Sequence, residues 1–150
     1  MARHTASEVA KWFLAYNRMT EDDQGAERIS NLKLQKLLYY AQGTFLAITG
    51  EPLFGDDLVA WAHGPVVESV YHEYKSNHAG GITFTEDFDG SSFSAEENEL
   101  LVEVYNVFGQ YSAWKLRNMT HEETPWRSTR INDVIPLNII KDYFELEHVE

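Results

Sequence analysis

The feature that most constrains this fold is one long apolar helix pattern in the first third of the chain. Apolar residues recur there at helical spacing, at Leu34, Leu37, Leu38, Ala41, Phe45 and Ile48. Ser30 suits the N-cap of the predicted helix, and Gly50 followed by Pro52 ends it. Leu32, Tyr39 and Leu46 widen the apolar arc, so we expect this helix to pack on several sides at the centre of a mainly helical fold.

Capping patterns predict further helices around this one. Thr5 with Glu8, and Ser94 with Glu97, have the spacing of a capping box, in which a hydroxyl and a carboxylate each bind a backbone amide at a helix start. Ser112 is expected to cap a short helix, which a Pro-Trp pair at 125–126 should break. Each predicted helix carries an apolar stripe that can pack on the central helix.

Two prolines predict the first turns of two more helices. Pro65 should begin a helix that runs to about Ser76, and Pro136 should begin the closing helix. Residues 58–62 predict a short strand or an extended loop, and residues 82–88 a small hairpin or extended flap. The expected fold is therefore mainly α: one compact domain over residues 1–150, with about five or six helices and a minor β hairpin or extended segment.

Composition excludes several classes of protein. The chain has 12 Lys and Arg against 24 Asp and Glu, and its net charge of −12 disfavours binding to nucleic acid or to an anionic membrane. It has no cysteine, so disulfide scaffolds and thiolate metal sites are excluded. No apolar run approaches the roughly 20 residues that span a bilayer. We therefore expect a cytoplasmic protein.

Catalytic and metal-binding patterns are weak. No two of the six histidines have the i, i+4 spacing of zinc ligands on a helix. Ser69, His63 and Glu68 lie close in sequence, but they fall across a turn and on different helix faces, without a nucleophile-elbow pattern. We expect no metal, no cofactor and no catalytic residue.

Aromatic residues near the ends of predicted elements are a stronger signal. They are Trp61, Tyr71, Tyr74, Trp114 and Trp126. Core packing is one interpretation, and anchoring of a protein interface is the other, because Trp and Tyr bury a large rigid area at small entropic cost. Tyr71 and Tyr74 are three residues apart on one predicted helix and are expected to be half exposed. They are our first candidates for contacts with a partner.

Four segments, taken in order, resemble a known family. They are Leu34–Gly43 (LQKLLYYAQG), Gly50–Phe54 (GEPLF), Trp61–Val66 (WAHGPV) and Thr120–Trp126 (THEETPW). Together they resemble the SocA-like, or Panacea, domain of prophage and toxin–antitoxin proteins. The resemblance covers nearly the whole chain.

The resemblance implies a non-enzymatic antitoxin of a type II toxin–antitoxin system. Such a protein binds a cognate toxin, encoded by the adjacent gene, and neutralises it through a direct protein–protein complex. Toxins paired with this family include enzymes that modify nucleotides or tRNA. The alternative is a proteolytic adaptor that delivers the toxin or another client to a cellular protease.

By this resemblance, nine residues of the chain correspond to motif positions of the family. These are Lys36, Tyr40, Trp61, His63, Gly64, Pro65, His121, Pro125 and Trp126. Gly64 and Pro65 are expected to set backbone geometry, and Trp126 to pack in the core. Lys36, Tyr40 and His63 leave two alternatives open: a buried network that holds the helix to the turn, or a surface for the partner.

Overall fold

The long apolar pattern forms the central helix, α2, Asn31–Thr49. In the computed structural model, which describes residues 2–24, 27–77 and 80–147, the Ser30 hydroxyl accepts the Lys33 amide at 3.2 Å and caps this helix. Gly50 ends it with φ of 79°. Most predicted apolar positions are buried, but Ile48 is 49% exposed because it lies in the last turn, beyond the packed neighbours.

Six further helices surround α2 in the part of the chain that the structure describes. They are α1 (Ala6–Gln24), α3 (Glu68–Tyr74), α4 (Ala95–Phe108), α5 (Ala113–His121), α6 (Thr124–Arg127) and α7 (Leu137–Glu147). Short 3₁₀ turns occupy Lys75–Asn77 and Gly90–Ser92. The mainly α fold is confirmed, as are the capping boxes at the starts of α1 and α4. None of the described helices is long and apolar enough to cross a membrane.

A small antiparallel hairpin supplies the β structure. Strand β1 (Val59–Trp61) pairs with β2 (Gly64–Val66), with Trp61 opposite Gly64 across the two-residue loop Ala62–His63. On its other side, β1 is paired with the segment before α7: the Ile135 amide donates to the Leu58 carbonyl at 2.7 Å. The hairpin is therefore held between α2 and the chain that leads into α7.

Two predicted boundaries were wrong. Pro65 lies in β2 because residues 64–66 pair with β1, and α3 begins three residues later at Glu68, after the Val67 amide has bound the Gln35 side chain of α2. Pro125 does not break α5, which already ends at His121; it lies in the first turn of the extra short helix α6. Proline suits that position because its missing N–H would be unpaired there anyway. Residues 82–88 form no regular strand; they run as an extended segment over α1.

The closest helix packing joins α2 to α7. Gly43 leaves room for the Phe144 ring: a Cβ on Gly43 would lie 2.4 Å from it. Phe144 is fully buried, and its ring packs edge-on against Tyr39 at 5.3 Å between centroids. This contact brings the predicted last helix against the central one.

Candidate functional site

The hydrogen bonds of α2 join the family-like segments to one another. Lys36 lies in the second turn of this helix and is completely buried, and its Nζ donates to the Pro65 carbonyl at 2.6 Å. Burial, with the nearby Arg117 charge, lowers the pKa of Lys36 to about 7. The amine thus binds the hairpin to α2. With this lowered pKa, the fold does not have to bury a fully charged ammonium group near neutral pH.

Gly64 allows this contact through its backbone. Its φ of 109° is a conformation that side chains rarely adopt. A Cβ there would lie 2.7 Å from Thr120 Oγ1 and 2.9 Å from Lys36 Cε. Glycine is therefore required both by the turn and by the close approach of α2 and α5.

A second pair of bonds joins α2 to the start of α6. Tyr39 and Tyr40 each donate a hydroxyl proton to a different carboxylate oxygen of Glu123, both at 2.8 Å. All three side chains are buried, with Glu123 5% exposed. Burial first, and then the Glu123 carboxylate, raises the pKa of both phenols. The phenols stay protonated and act as donors, so the carboxylate serves as a buried acceptor.

Buried amides of α2 complete the network. Gln35 Oε1 accepts the Val67 amide at 2.9 Å, and Gln35 Nε2 donates to Asn31 Oδ1 at 2.9 Å. Asn31 in turn donates to the Tyr71 carbonyl at 3.0 Å. These bonds fix the start of α3 relative to α2. We call the bonds of Gln35, Lys36, Tyr39 and Tyr40 the α2 network.

The hairpin also contacts the segment after α5. The Trp126 indole N–H donates to the Trp61 carbonyl at 2.8 Å, and the Trp126 ring stacks on His121 at 4.0 Å. Burial, with the Arg117 charge, lowers the pKa of His121, although a hydrogen bond to the Ala62 backbone opposes the shift. His121 is therefore neutral at pH 7, and its buried Nε2 has no hydrogen-bond partner among the described residues.

On the outer side of the hairpin loop, three side chains form a polar and aromatic cluster. Arg117 Nε donates to His63 Nδ1 at 3.2 Å, and the guanidinium carbon lies 4.4 Å from the centre of the Trp114 ring. Arg117 can only donate, so the neutral His63 ring carries its proton on Nε2. Trp114 is 57% exposed, an unusual exposure for a side chain of its size.

Beside the hairpin lies a cleft of about 500 Å³. Its walls include Leu32, Trp61, His63, Val66, Tyr71 and Ile131. We call it the motif cleft. The rings of Trp61 and Tyr71 meet edge-on at 5.0 Å, and both are half-buried, while Ile131 is 46% exposed. Half-buried aromatic side chains around a mainly apolar cleft are the arrangement that anchors protein interfaces.

The residues expected from the sequence fall into two groups. Lys36 and Tyr40 are fully buried in the α2 network, which favours the structural alternative for both. Tyr74 is only 8% exposed, so the half-exposed ring expected there is not found. Tyr71 and His63 line the motif cleft. A helix places residues three apart on neighbouring parts of its surface, and the core covers only one of the two tyrosines.

The remaining family positions lie around these groups. Trp61 lines the cleft, and Gly64 and Pro65 form β2. Pro125 is buried, whereas His121 and Trp126 are half-buried. Three of the four family-like segments, at 34–43, 61–66 and 120–126, therefore meet in one region of the fold.

Sequence reasoning missed three residues of this region. Arg117 showed no pattern beyond its spacing of i, i+3 from Trp114, which was already among the aromatic candidates. Ile131 lies in an irregular segment whose place beside the hairpin depends on the β1 pairing. Glu123 was one acidic residue among many, although its position inside the THEETPW segment was a usable signal.

Fold and site together define a small helical domain with an aromatic cleft beside a buried polar network. The family model of the antitoxin SocA-like, Panacea domain matches residues 34–127, and the chain belongs to that family. This range contains the α2 network, the hairpin and the residues of α5 and α6 described above.

A relative from Caulobacter vibrioides (strain NA1000 / CB15N), described as "Antitoxin SocA", is 51% identical over 49 residues. The match covers 33% of this chain and 26% of the relative, so it spans about a quarter of the relative's length. No solved structure matches the chain. Family membership supports an antitoxin role.

Proposed function

We propose that this chain neutralises a cognate toxin by direct protein–protein binding, and that the motif cleft is its main contact surface. The toxin is the product of the adjacent gene, and an enzyme acting on nucleotides or tRNA is the expected kind. The antitoxin itself performs no chemistry and acts where its toxin acts, in the cytoplasm.

One observation carries this proposal: the half-buried rings of Trp61 and Tyr71 line a cleft built on the family-like segments. The α2 network below holds the hairpin and α3 in place, so the two rings are ordered before a partner arrives. Pre-ordering reduces the entropy lost on binding. Tyr71 and His63 are the proposed contacts, and Lys36, Tyr40 and Tyr74 support them from below.

The test is to co-express the chain with the product of the adjacent gene and to compare two tyrosine variants. Tyr71→Ala should raise the dissociation rate of the complex by about tenfold or more, because it removes a central aromatic anchor. The matched control is Tyr16→Ala, which removes an equally half-buried ring from a separate groove between α1 and α4. The control should bind as the unchanged chain does.

Three results would contradict the proposal. The adjacent gene product could be harmless, the two proteins could fail to co-purify, or a folded Tyr71→Ala variant could dissociate no faster than the unchanged chain. The same assay in protease-deficient cells distinguishes neutralisation from the adaptor alternative. Direct neutralisation persists without the protease, whereas delivery to the protease does not.

A further inference from the structure

Around the motif cleft, several hydrogen-bond donors face solvent, whereas few acceptors do. The Trp61 indole N–H has no acceptor among the described residues and is not one of their buried unpaired atoms, so it is open to solvent. The same holds for the Tyr71 hydroxyl. His63 presents its Nε2–H, since its other ring nitrogen accepts from Arg117.

Of the three side-chain amide oxygens on the cleft wall, those of Gln35 and Asn31 are used internally, whereas Asn132 Oδ1 accepts no hydrogen bond from a described residue. Gln35 Oε1 accepts the Val67 amide, and Asn31 Oδ1 accepts the Gln35 amide. None of the described residues that line the cleft is an aspartate or a glutamate. A partner group that enters the cleft therefore meets mainly N–H and O–H donors and apolar carbon, with no carboxylate to repel an anion.

The segment 113–131, which runs from α5 to the cleft residue Ile131, is net positive, opposite in sign to the whole chain. Residues 113–131 hold four of the 12 cations of the chain, Lys115, Arg117, Arg127 and Arg130, against two carboxylates. One of these carboxylates, Glu123, is buried and accepts two tyrosine hydroxyls. Arg117 makes no ion pair with any described carboxylate, and it contacts His63 on the cleft wall.

We propose that the motif cleft binds an acidic segment of the partner protein, with one apolar side chain inserted between Trp61 and Ile131 and a neighbouring carboxylate bound by Arg117 and His63. This inference rests on the proposed function, which makes the partner a protein. It adds the chemistry of the contacting segment. Charge-assisted hydrogen bonds to a guanidinium supply directional recognition, and the aromatic walls supply burial.

A fragment that carries both groups tests this chemistry without the toxin. N-acetyl-L-phenylalanine has an aromatic ring next to a carboxylate, and its amide has the same ring without the charge. Both are titrated into the ¹⁵N-labelled full chain while the four tryptophan indole N–H signals are followed, assigned by Trp61→Phe and Trp114→Phe variants.

The acid should shift the Trp61 signal saturably, with a dissociation constant on the order of 1 mM, and the amide should bind about fivefold more weakly or worse. The Trp12 signal should stay fixed, because its N–H donates internally to Asn98 Oδ1 in the separate groove between α1 and α4. Equal binding of acid and amide, or no saturable shift at Trp61, would overturn the proposal.

Arg117→Gln should abolish the preference for the acid, whereas Arg117→Lys should retain part of it. Lys115→Gln is the matched control, because it removes the same charge from the same helix two residues away, on a different face. An unchanged preference in folded Arg117→Gln would refute the role of Arg117. If the acid binds and the toxin does not co-purify, the cleft chemistry stands and neutralisation fails; if the toxin binds and the acid does not, the reverse holds.

Discussion

Lys36 shows how one buried side chain can link the stability of this fold to pH. Removing the ammonium group from water disfavours its charged form, and the cationic Arg117 and the nearby His121 add no compensating negative charge. Its pKa is lowered from 10.5 in a solvated lysine to about 7 in the fold. Between these two values, the unfolded chain binds more protons than the folded chain does.

The free energy of unfolding should therefore rise with pH above 7, by about 2 kcal/mol between pH 7 and pH 9 from this group alone. Lys36→Met keeps most of the buried volume and removes the titration, so the variant should lack this rise. Urea denaturation of both proteins at the two pH values measures the difference. Parallel pH dependences would show that the buried amine does not titrate in this range.

At Gly64, the loss of stability from an unfavourable backbone conformation can be separated from the loss caused by a steric clash. Gly64→Ala must place a side chain at φ of 109° and push it against Thr120 and Lys36, so a loss of about 2 to 4 kcal/mol is expected. Gly50→Ala meets a similar φ of 79° with no atom within 4 Å of the added Cβ. It should cost only about 1 kcal/mol, the conformational part.

Chemical denaturation of the two glycine variants decides between these contributions. Similar losses would mean that the backbone alone requires Gly64, and that the close approach of α2 and α5 relaxes easily. A larger loss at Gly64 would assign the excess to the packed contact with Thr120. Binding by the variants should follow the integrity of the hairpin, because Trp61 pairs directly opposite Gly64.

At the scale of helices and strands, local sequence signals predicted where helices start, whereas long-range contacts set the other element boundaries. Ser94 and Glu97 are three residues apart, and their mutual capping needs nothing else from the fold. Pro65 looked equally local, yet it lies in a strand that pairs with β1, and Gln35 binds the Val67 amide just after that strand from 32 residues earlier. A single sequence has no signal for that bond.

The residues of the candidate site also divide into those that sequence signals located and those whose place depends on long-range contacts. The family-like segments marked where Trp61 and His63 lie, but not that Arg117 comes within hydrogen-bond distance of His63 across 54 residues. Nor could spacing show that Glu123 accepts two hydroxyls from residues more than 80 positions away. Residue types on a helix face can be read from the sequence, whereas neighbours between helices depend on packing.

Helix α7 offers a test of how far the last element contributes to the fold. Phe144 is fully buried against Gly43 of α2, so Phe144→Ala should cost about 3 to 5 kcal/mol through lost burial and a cavity. Leu146 lies two residues further along the same helix and is 77% exposed. Leu146→Ala should change stability by less than about 0.5 kcal/mol.

Urea denaturation midpoints of these two variants measure the contrast. Equal midpoints would show that α7 does not pack on α2 as described. A loss at Phe144 that leaves the Tyr71 region folded, seen by the Trp61 indole signal, would show that α7 unfolds separately from the hairpin. A joint loss would show that the closing helix and the site form one cooperative unit.

At the scale of the whole molecule, the charge is distributed unevenly. The chain as a whole carries −12, and carboxylates fill exposed faces such as that of α4, with Glu96, Glu99 and Glu103. Beside the motif cleft lies a positive charge, that of Arg117, which contacts the cleft residue His63. Long-range attraction depends on the sum of charges, whereas the final contact depends on the few groups that touch.

This division gives separate predictions for the two rate constants of toxin binding. A basic, nucleotide-handling toxin should be attracted by the acidic surface, so its association should slow as salt rises and the Debye length falls below about 10 Å. Replacing Glu96, Glu99 and Glu103 by glutamine changes the net charge from −12 to −9, far from the cleft residues in sequence. Association at low salt should then slow about two- to fivefold, with dissociation unchanged.

Arg117→Gln should do the opposite and mainly raise the dissociation rate, because it removes a contact while making the chain more acidic overall. Stopped-flow association and surface-based dissociation, each at low and high salt, separate the two effects. An association rate that does not change with salt would mean that the acidic surface serves solubility only. An Arg117→Gln complex that associates faster and dissociates as before would assign the arginine no contact with the toxin.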